Sequence, residues 1–550
     1  MIKYLYKKLT FMGSMLCCYH AVAVDITYQL EVDKSAGKNT RFWQAVGHDY
    51  LFHYTNTEIG QQFLDRAKER QSITHYRTHF TFNKTCAEKD TPGICVGGDV
   101  AKINADGSVS YDFSTVNKTF QNYVNRGMKP IVEFSFYPQG FAKTLADEDK
   151  REGDHSRNAQ PIDWQQWENL QHAFMQNLET TFGEDELKTW YFEVWNEPDQ
   201  WPIEHYDVFT RLYDVFSYTV KSYNNEYKVG GAACFTPICM DNFLRHVNYG
   251  KNTKTGQIGA PLDFISYHIY GLSGSWLEKS PIMKPRVSTF THNLRWMNRI
   301  LKQYPKAQKA EFHLNEWGLS SRFRRTSQKF PELEYRNNHL SALFMTKLVD
   351  NMFALNDNKK ELNVDLMLYW GFTWEAERGR QFSGNRELLT GGGIGKPILT
   401  TYEMLARLQD QRIRVKGYQT GERFGIIATT NTDIQAQQNG KKLSFIVYNY
   451  EETDDNLNKV DNISIALSGL IGKSVTWQSY LLDEKHNNSY QLWLDAGQPA
   501  INELSDALIE QSNNLQQTNQ GQLTINQGKS TLDISLKRHS MILIQANIYR

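Results

Sequence analysis

The chain has 550 residues, enough for two or three domains around a large core. Its 61 Lys and Arg balance 61 Asp and Glu, so the formal net charge is zero, which gives no electrostatic reason to expect nucleic acid or an anionic membrane as partner. Aromatic residues make up 13% of the chain; they fill cores first, but they also make platforms for the apolar faces of sugars and bases.

The N-terminal stretch MIKYLYKKLTFMGSMLCCYHAVAVD has a basic start, an apolar middle and a small-residue end, Ala21-Val22-Ala23. This is the pattern of a signal peptide over residues 1–23, cleaved after Ala23, and it predicts an exported protein, periplasmic or secreted. No later stretch is long and apolar enough to span a bilayer. Export leaves four cysteines: Cys86, Cys95, Cys234 and Cys239. The two local pairs are the expected disulfides, because CAEKDTPGIC and CFTPIC each hold turn-forming residues. An oxidising compartment would close them. No histidine lies at ligand spacing from both pairs, which argues against a zinc site.

From residue 41 to about 410, short apolar runs alternate with amphipathic stretches. The runs are FWQAVG (42–47), ITHYRTHF (73–80), KPIVEFSF (129–136), TWYFEVW (189–195), YKVGGAA (227–233), LDFISYHIY (262–270), AEFHLNEW (310–317) and DLMLYWGF (365–372). They have the length and composition of buried parallel strands. Between them lie helix candidates such as TEIGQQFLDRAKER, PIDWQQWENLQHAFMQNLETTF and EYRNNHLSALFMTKLVDNMF. Eight strands alternating with helices predict an α/β fold, a (β/α)8 TIM barrel over 41–410. No GxGxxG follows the first strand, which weakens the open doubly wound alternative. After residue 411 helical periodicity mostly fades and β-rich runs separated by Asn, Gly and Gln predict a β-sandwich-like accessory domain over 411–550. Residues 24–40 are expected to add a strand to it, and NNLQQTNQGQ (513–522) reads as a polar loop.

Barrel enzymes work at the C-terminal ends of their strands. The polar residues there are His79 on strand two, Asn196 and Glu197 on strand four, His268 and Tyr270 on strand six and Glu316 on strand seven, with Trp370 on strand eight. Glu133 points into the third strand and is expected to be a barrel-interior group with a structural partner. A lone Glu at a strand end is usually a cap or a salt-bridge partner. Two, each following an Asn and each on its own strand, can instead face one another across a small substrate. Paired carboxylates among aromatics suit glycoside hydrolysis, in which one protonates the leaving oxygen and the other attacks the anomeric carbon.

At these residues the chain resembles a known family. WNEP (195–198) is similar to the acid/base motif of clan A glycoside hydrolases and NEW (315–317) to their nucleophile motif. The ordered set FWQAVGHD, HYRTHF, GMKPIVEFSFYP, FEVWNEPD, LDFISYHIY, HLNEWG, LMLYWGF and GGGIGKP resembles glycoside hydrolase family 39, of β-xylosidases and α-L-iduronidases. VYNYEE and NNSYQLWLDAGQP in the second domain resemble its β-xylosidases. The resemblance implies Glu197 as general acid/base and Glu316 as nucleophile of a retaining mechanism, their carboxyl groups about 5–5.5 Å apart. It further implies that Asn196 binds the sugar 2-hydroxyl, Tyr270 holds Glu316, His79 and His268 bind hydroxyls, and Phe136 and Trp370 form apolar walls. Glu375 or Glu377 would reach outer hydroxyls. No metal and no cofactor are implied.

An iduronidase needs a basic residue for the uronate carboxylate. The sequence after His268, IYGLSG, has none where iduronidases carry one, which favours an exo-acting β-xylosidase on an oligosaccharide or glycoside. Arg378 and Arg380 keep a uronide open, and arabinosides, glucosides and exopolysaccharides remain family alternatives. The insertion 138–160 could close one end of the site. A non-catalytic sugar-binding barrel would be expected to lack one carboxylate. A metal-dependent hydrolase would need more ligands than His79 and His268 supply. Oligomerisation is left open.

Overall fold

The computed structural model describes residues 26–549 except 50, 84, 87–94, 97–99, 145–158, 202, 273–283, 323–324, 372–379, 418–422, 433–434, 436–439 and 453–457. The expected signal peptide, Glu375, Glu377, Arg378 and most of the 138–160 insertion lie outside the described residues.

Eight parallel strands close a barrel. In chain order they are Ala45–His48, His75–Thr78, Lys129–Phe134, Tyr191–Val194, Lys228–Cys234, Phe264–Tyr270, Glu311–Gly318 and Leu366–Trp370, called barrel strands one to eight below. Strand eight pairs back onto strand one, Leu368 opposite Ala45. Every expected run overlaps one of these strands. Phe42 and Trp43 fall outside theirs: they precede strand one and pack edge-on against Phe353. Helices on the outside follow the amphipathic stretches and start where a side chain satisfies their free N–H groups. Thr57 caps Glu58–Glu69, Asp163 caps Trp164–Phe182, and Asn338 caps His339–Asp357. Residues 334–336, expected within that last helix, belong to a separate 3-10 turn, Pro331–Arg336.

Apart from three short two-stranded sheets, the other described strands form one continuous, mostly antiparallel sheet of nine. Their order is Asn519–Thr524, Ser474–Leu482, Ser540–Tyr549, Lys441–Asn449, Phe424–Thr430, Gln411–Lys416, Ile26–Lys38, Val460–Ser468 and Lys529–Lys537. The N-terminal strand joins the two arms, antiparallel to Gln411–Lys416 and parallel to Val460–Ser468. Residues from both arms, among them Leu30, Ile426, Phe445, Ile465 and Ile544, meet in one core. The expected loop 513–522 is partly strand, because Asn519–Ser479 and onward pairs make it a sheet edge. An edge strand has one side toward water, so its polarity hides it. Helices Ser489–Asp495 and Asp506–Asn513 also interrupt this domain, where helical periodicity is weak in the sequence.

The other face of the sheet packs on the barrel. Helix His339–Asp357 is buried along almost its whole length, with the barrel beneath it and the sheet above. The Tyr448 hydroxyl donates to Asp350 at 2.7 Å across this contact. A helix enclosed on both sides loses its polar face, which is why its amphipathic signal is weak.

Candidate active site

The barrel interior is layered. At the N-terminal end Tyr191, Phe264 and His313 pack ring on ring. Ala45, Ile131, Leu366 and Leu368 form an apolar cluster with Trp370, whose ring also meets His79 at the mouth. Next comes a charged layer. Arg77, fully buried on strand two, contacts Glu133 at 2.6 Å, Glu193 at 2.7 Å and Glu316 at 3.0 Å, and donates to the Asn196 side-chain oxygen at 3.1 Å. Burial opposes its charge, but Glu193, Glu133 and Glu316 outweigh this and raise its pKa. Ser266 and Asn315 also donate to Glu193, Asn315 at 2.8 Å. Trp370 lies with its ring 5.1 Å from the Arg77 guanidinium, a cation–π contact. Gly47 on strand one makes room for it: a Cβ there would sit 2.6 Å from the Trp370 ring.

Glu197 stands on the turn after strand four. Trp195 and Glu197 both have left-handed backbone, φ 65° and 49°, which non-glycine residues hold only where the surroundings fix them. Trp195 is wedged against Phe136, Tyr137 and Trp201. The Glu197 N–H donates to the Ala233 carbonyl of strand five at 3.1 Å. Gln200 donates to Glu197 Oε2, and His268 Nδ1 lies 3.1 Å from Oε1.

Glu316 stands on strand seven. Asn315 and Glu316 are consecutive, yet both reach barrel-interior partners, Glu193 and Arg77. A regular strand would turn one of them outward. The register against strand eight shifts between Leu314 and Trp317, and against strand six between Tyr267 and His268. Such bulges re-aim side chains beside active sites. Glu316 Oε1 accepts from Arg77 and Oε2 from the Tyr270 hydroxyl at 2.9 Å. Burial first, then the Glu316 charge, raises Tyr270 well above the usual tyrosine range and keeps it a donor.

The two carboxylates and a histidine converge: one oxygen each of Glu197 and Glu316 and a ring nitrogen of His268 lie within 4.8 Å of one another. Burial would lower the His268 pKa, but Glu316 and Glu197 raise it. His79 is similar, its Nδ1 2.8 Å from Glu133: burial lowers its pKa and Glu133 more than reverses this. Three such ligands could geometrically hold a cation. However, both Glu316 oxygens already accept bonds and His268 is drawn toward its charged form, so donors fill the places a metal would need. A second cluster, Asp199 with Cys234 and Cys239, offers no thiolate, because the two sulfurs are bonded to each other. The backbones of Cys86 and Cys95 pair across a short hairpin, and their side chains lie outside the described residues.

The structure therefore brings His79, Phe136, Asn196, Glu197, His268, Tyr270, Glu316 and Trp370 to one barrel mouth. Phe136 meets the His79 ring edge-on at 5.0 Å, and Trp370 meets it at 5.5 Å. Arg380 is exposed, its carbonyl bonded to Gly391. The profile of glycosyl hydrolases family 39 matches residues 26–522, most of the chain. The chain belongs to that family. The β-xylosidase of Caldicellulosiruptor saccharolyticus is 24% identical to this family 39 chain over 523 residues, covering 93% of it and 96% of that protein. The α-L-iduronidase of Mus musculus is 20% identical over 532 residues, covering 90% and 76%. A monomeric β-xylosidase from Caulobacter crescentus CB15 has the same fold, with TM-score 0.74, 20% identity and coverage of 96% and 100%.

Several residues of this family 39 site escaped the sequence reading. Arg77, Asp49, Gln200 and Arg386 touch the predicted set, and Glu193, with Asn315 bonded to it, joins that set through Arg77. Asp49 lies 3.7 Å from His79 and 3.9 Å from Arg386, and Arg386 donates to the Tyr270 hydroxyl at 3.4 Å. Period-two alternation puts Arg77 on the face of His75 and His79, and that signal could have found it.

Proposed function

We propose that this family 39 glycoside hydrolase is a retaining, exo-acting β-xylosidase. The observation that carries the reading is the approach of Glu197 and Glu316, with carboxylate oxygens within 4.8 Å. Retaining enzymes need carboxyl groups about 5–5.5 Å apart, whereas inverting ones need about 6.5–9.5 Å to admit a water between carboxylate and sugar. Glu316, with bonds from Arg77 and Tyr270 on its two oxygens, has the surroundings of an acceptor-only carboxylate, hence the nucleophile. Glu197 is the more exposed, with 18% of its side chain open against 7% for Glu316, and suits the residue that exchanges protons with leaving group and water.

In the first step Glu316 attacks the anomeric carbon as Glu197 gives its proton to the glycosidic oxygen, and the leaving group departs as an alcohol. In the second, Glu197 takes a proton from water, the water oxygen bonds to the anomeric carbon, and Glu316 is released. Asn196, oriented by Arg77, is suited to bind the 2-hydroxyl. His79 and His268 are suited to bind other hydroxyls between Phe136 and Trp370.

Charge supports a neutral sugar. Around the site Asp49, Glu133, Glu193, Glu197 and Glu316 lie beside Arg77 and Arg386 and beside His79 and His268, so the cations shown there already have carboxylate partners. A uronate would add a further negative charge to that set. The similarity to α-L-iduronidases and the place of Arg386 beside Tyr270 favour a uronide as the second reading. Export belongs to the proposal, because a bonded Cys234–Cys239 pair suits an oxidising compartment.

The test is release of p-nitrophenol from its β-D-xyloside, beside α-L-iduronide, arabinoside and glucoside. Activity on the xyloside should be nearly lost in Glu197→Ala and Glu316→Ala. Azide should rescue both, giving β-xylosyl azide with the first and α-xylosyl azide with the second. Preference for another glycoside would overturn the xylose assignment. The same azide anomer from both variants would overturn the roles.

A further inference from the structure

The turn that carries Glu197 is built together with the loop after strand five. The Asp199 carboxylate accepts from the Phe235 N–H at 3.0 Å and the Thr236 N–H at 2.7 Å. The Tyr267 hydroxyl donates to the Phe235 carbonyl at 3.0 Å, and a disulfide joins Cys234 to Cys239 across the loop. The Tyr206 hydroxyl donates to the Cys239 carbonyl at 3.0 Å, tying in the segment after strand four. These contacts fix the backbone of both loops while leaving three large apolar side chains in water. Phe235 is 37% exposed, Ile238 69% and Ile203 73%. None has a hydroxyl, amide or charge with which to greet a sugar hydroxyl. Both segments follow the C-terminal ends of barrel strands, the end that carries Glu197, and exposed apolar groups on a fixed backbone there suit an apolar ligand.

We propose that the loops after strands four and five form a leaving-group subsite for an apolar aglycone, an alkyl or aryl group, beside Glu197. The proposal rests on Glu197 being the residue that protonates the leaving oxygen, since the aglycone departs on that side. Phe235, Ile238 and Ile203 determine specificity; they take no part in bond breaking.

The experiment uses methyl, butyl, hexyl and octyl β-D-xylosides. Their leaving alcohols have nearly equal acidity, so differences in kcat/KM report contact rather than chemistry. A methylene taken fully out of water is worth about fourfold. On an open rim that covers about half of it, kcat/KM of the wild type should rise about twofold per methylene up to hexyl. In Ile238→Ser and Phe235→Ser that rise should flatten. A wild type with no dependence on chain length overturns the proposal. So does an equal loss on all four xylosides in the variants, which assigns the loop a structural role. An unchanged slope accompanied by dissociation of an oligomer assigns the patch to an interface between copies and also overturns it. A wild type inert on all four yet active on another p-nitrophenyl glycoside has failed at the sugar, not the aglycone. The alkyl series on that sugar then decides the proposal by the same slope.

Discussion

Replacing Arg77 by methionine should be the most damaging change available outside the two catalytic carboxylates. Its guanidinium is the common partner of Glu133, Glu193 and Glu316, all within 3.0 Å. Methionine fills much of the volume but leaves these buried carboxylates without their cation. Breaking a buried pair from one side costs about 3–5 kcal/mol. Three acids share this cation, so the cost should lie at the upper end, unless they take up protons. Proton uptake gives the loss a pH signature. With more protons bound in the native variant than in its unfolded chain, stability falls as pH rises, by about 1.4 kcal/mol per unit for each extra proton. The thermal midpoint of Arg77→Met should therefore lie about 3–6 °C below wild type at pH 7, with the gap narrower at pH 5. Arg77→Lys should recover only part of the gap, since one ammonium cannot reproduce the fork that meets three acids and Asn196. Tryptophan fluorescence on heating reads all three proteins at both pH values. A midpoint for Arg77→Met within 2 °C of wild type, or a gap independent of pH, would refute the view that this cation holds the layer together.

Tyr270→Phe removes the 2.9 Å bond to Glu316 and should lower kcat/KM about ten- to a hundredfold with little change in thermal midpoint; an unaltered rate would show that Arg77 alone positions the nucleophile. The raised pKa of His79 means that its contribution to stability is complete below pH 6.5 and is lost as pH climbs through the native value. Midpoints measured from pH 6 to 9 should therefore fall more steeply for wild type than for His79→Gln, and parallel curves would count against the Glu133 pairing. Glu311 behaves oppositely. Burial raises its pKa but His313, Lys228 and Tyr191 bring it down to about 2, so its contribution is complete above pH 4.5 and is lost below. Glu311→Gln should lower the midpoint at pH 6 and converge with wild type in strong acid. Cys239→Ser opens a short loop and should cost about 2 kcal/mol in stability, matched by treating the wild type with a thiol reductant. A variant that still loses stability on reduction would point to a second bond.

The barrel was legible because its strands are buried on both faces and so read as apolar runs, and because each is followed by a turn that carries its polar residues. Glu197 and Glu316 stood out as carboxylates directly after Asn at two such ends. What lay beneath them did not. Glu193 and Asn315 sit inside apolar runs, and their partners come from other strands, through a register that no local pattern encodes. Arg77 looked like one polar residue among several in HYRTHF, and only the closed barrel gathers Glu133, Glu193 and Glu316 around it. The accessory domain was read as β-rich correctly, and residues 24–40 were expected to add a strand to it; which strands Ile26–Lys38 lies between, Gln411–Lys416 on one side and Val460–Ser468 on the other, rests on long-range pairing. Its edge strand Asn519–Thr524 is polar because water covers it, and polarity is also what a loop shows.

The irregular backbone and the charged layer belong to one arrangement. A barrel strand with strict alternation can aim only every second residue inward. This site takes inward contacts from Asn315 and Glu316 in succession, and from Asn196 and Glu197 past a left-handed turn at Trp195. Each departure costs backbone energy of order 1–3 kcal/mol where a non-glycine residue is left-handed. Arg77 reaches both irregular segments at once, bonding Asn196 on one side and Glu316 on the other. It also grips Glu193, which Asn315 holds from strand seven. The cation thus ties strand four to strand seven across the barrel, directly below the two carboxylates. This layer fixes Asn196 and Glu316, while Glu197 is held by Gln200, His268 and the Ala233 carbonyl, so the catalytic geometry should survive side-chain changes at Phe235 and Ile238 that leave those bonds in place.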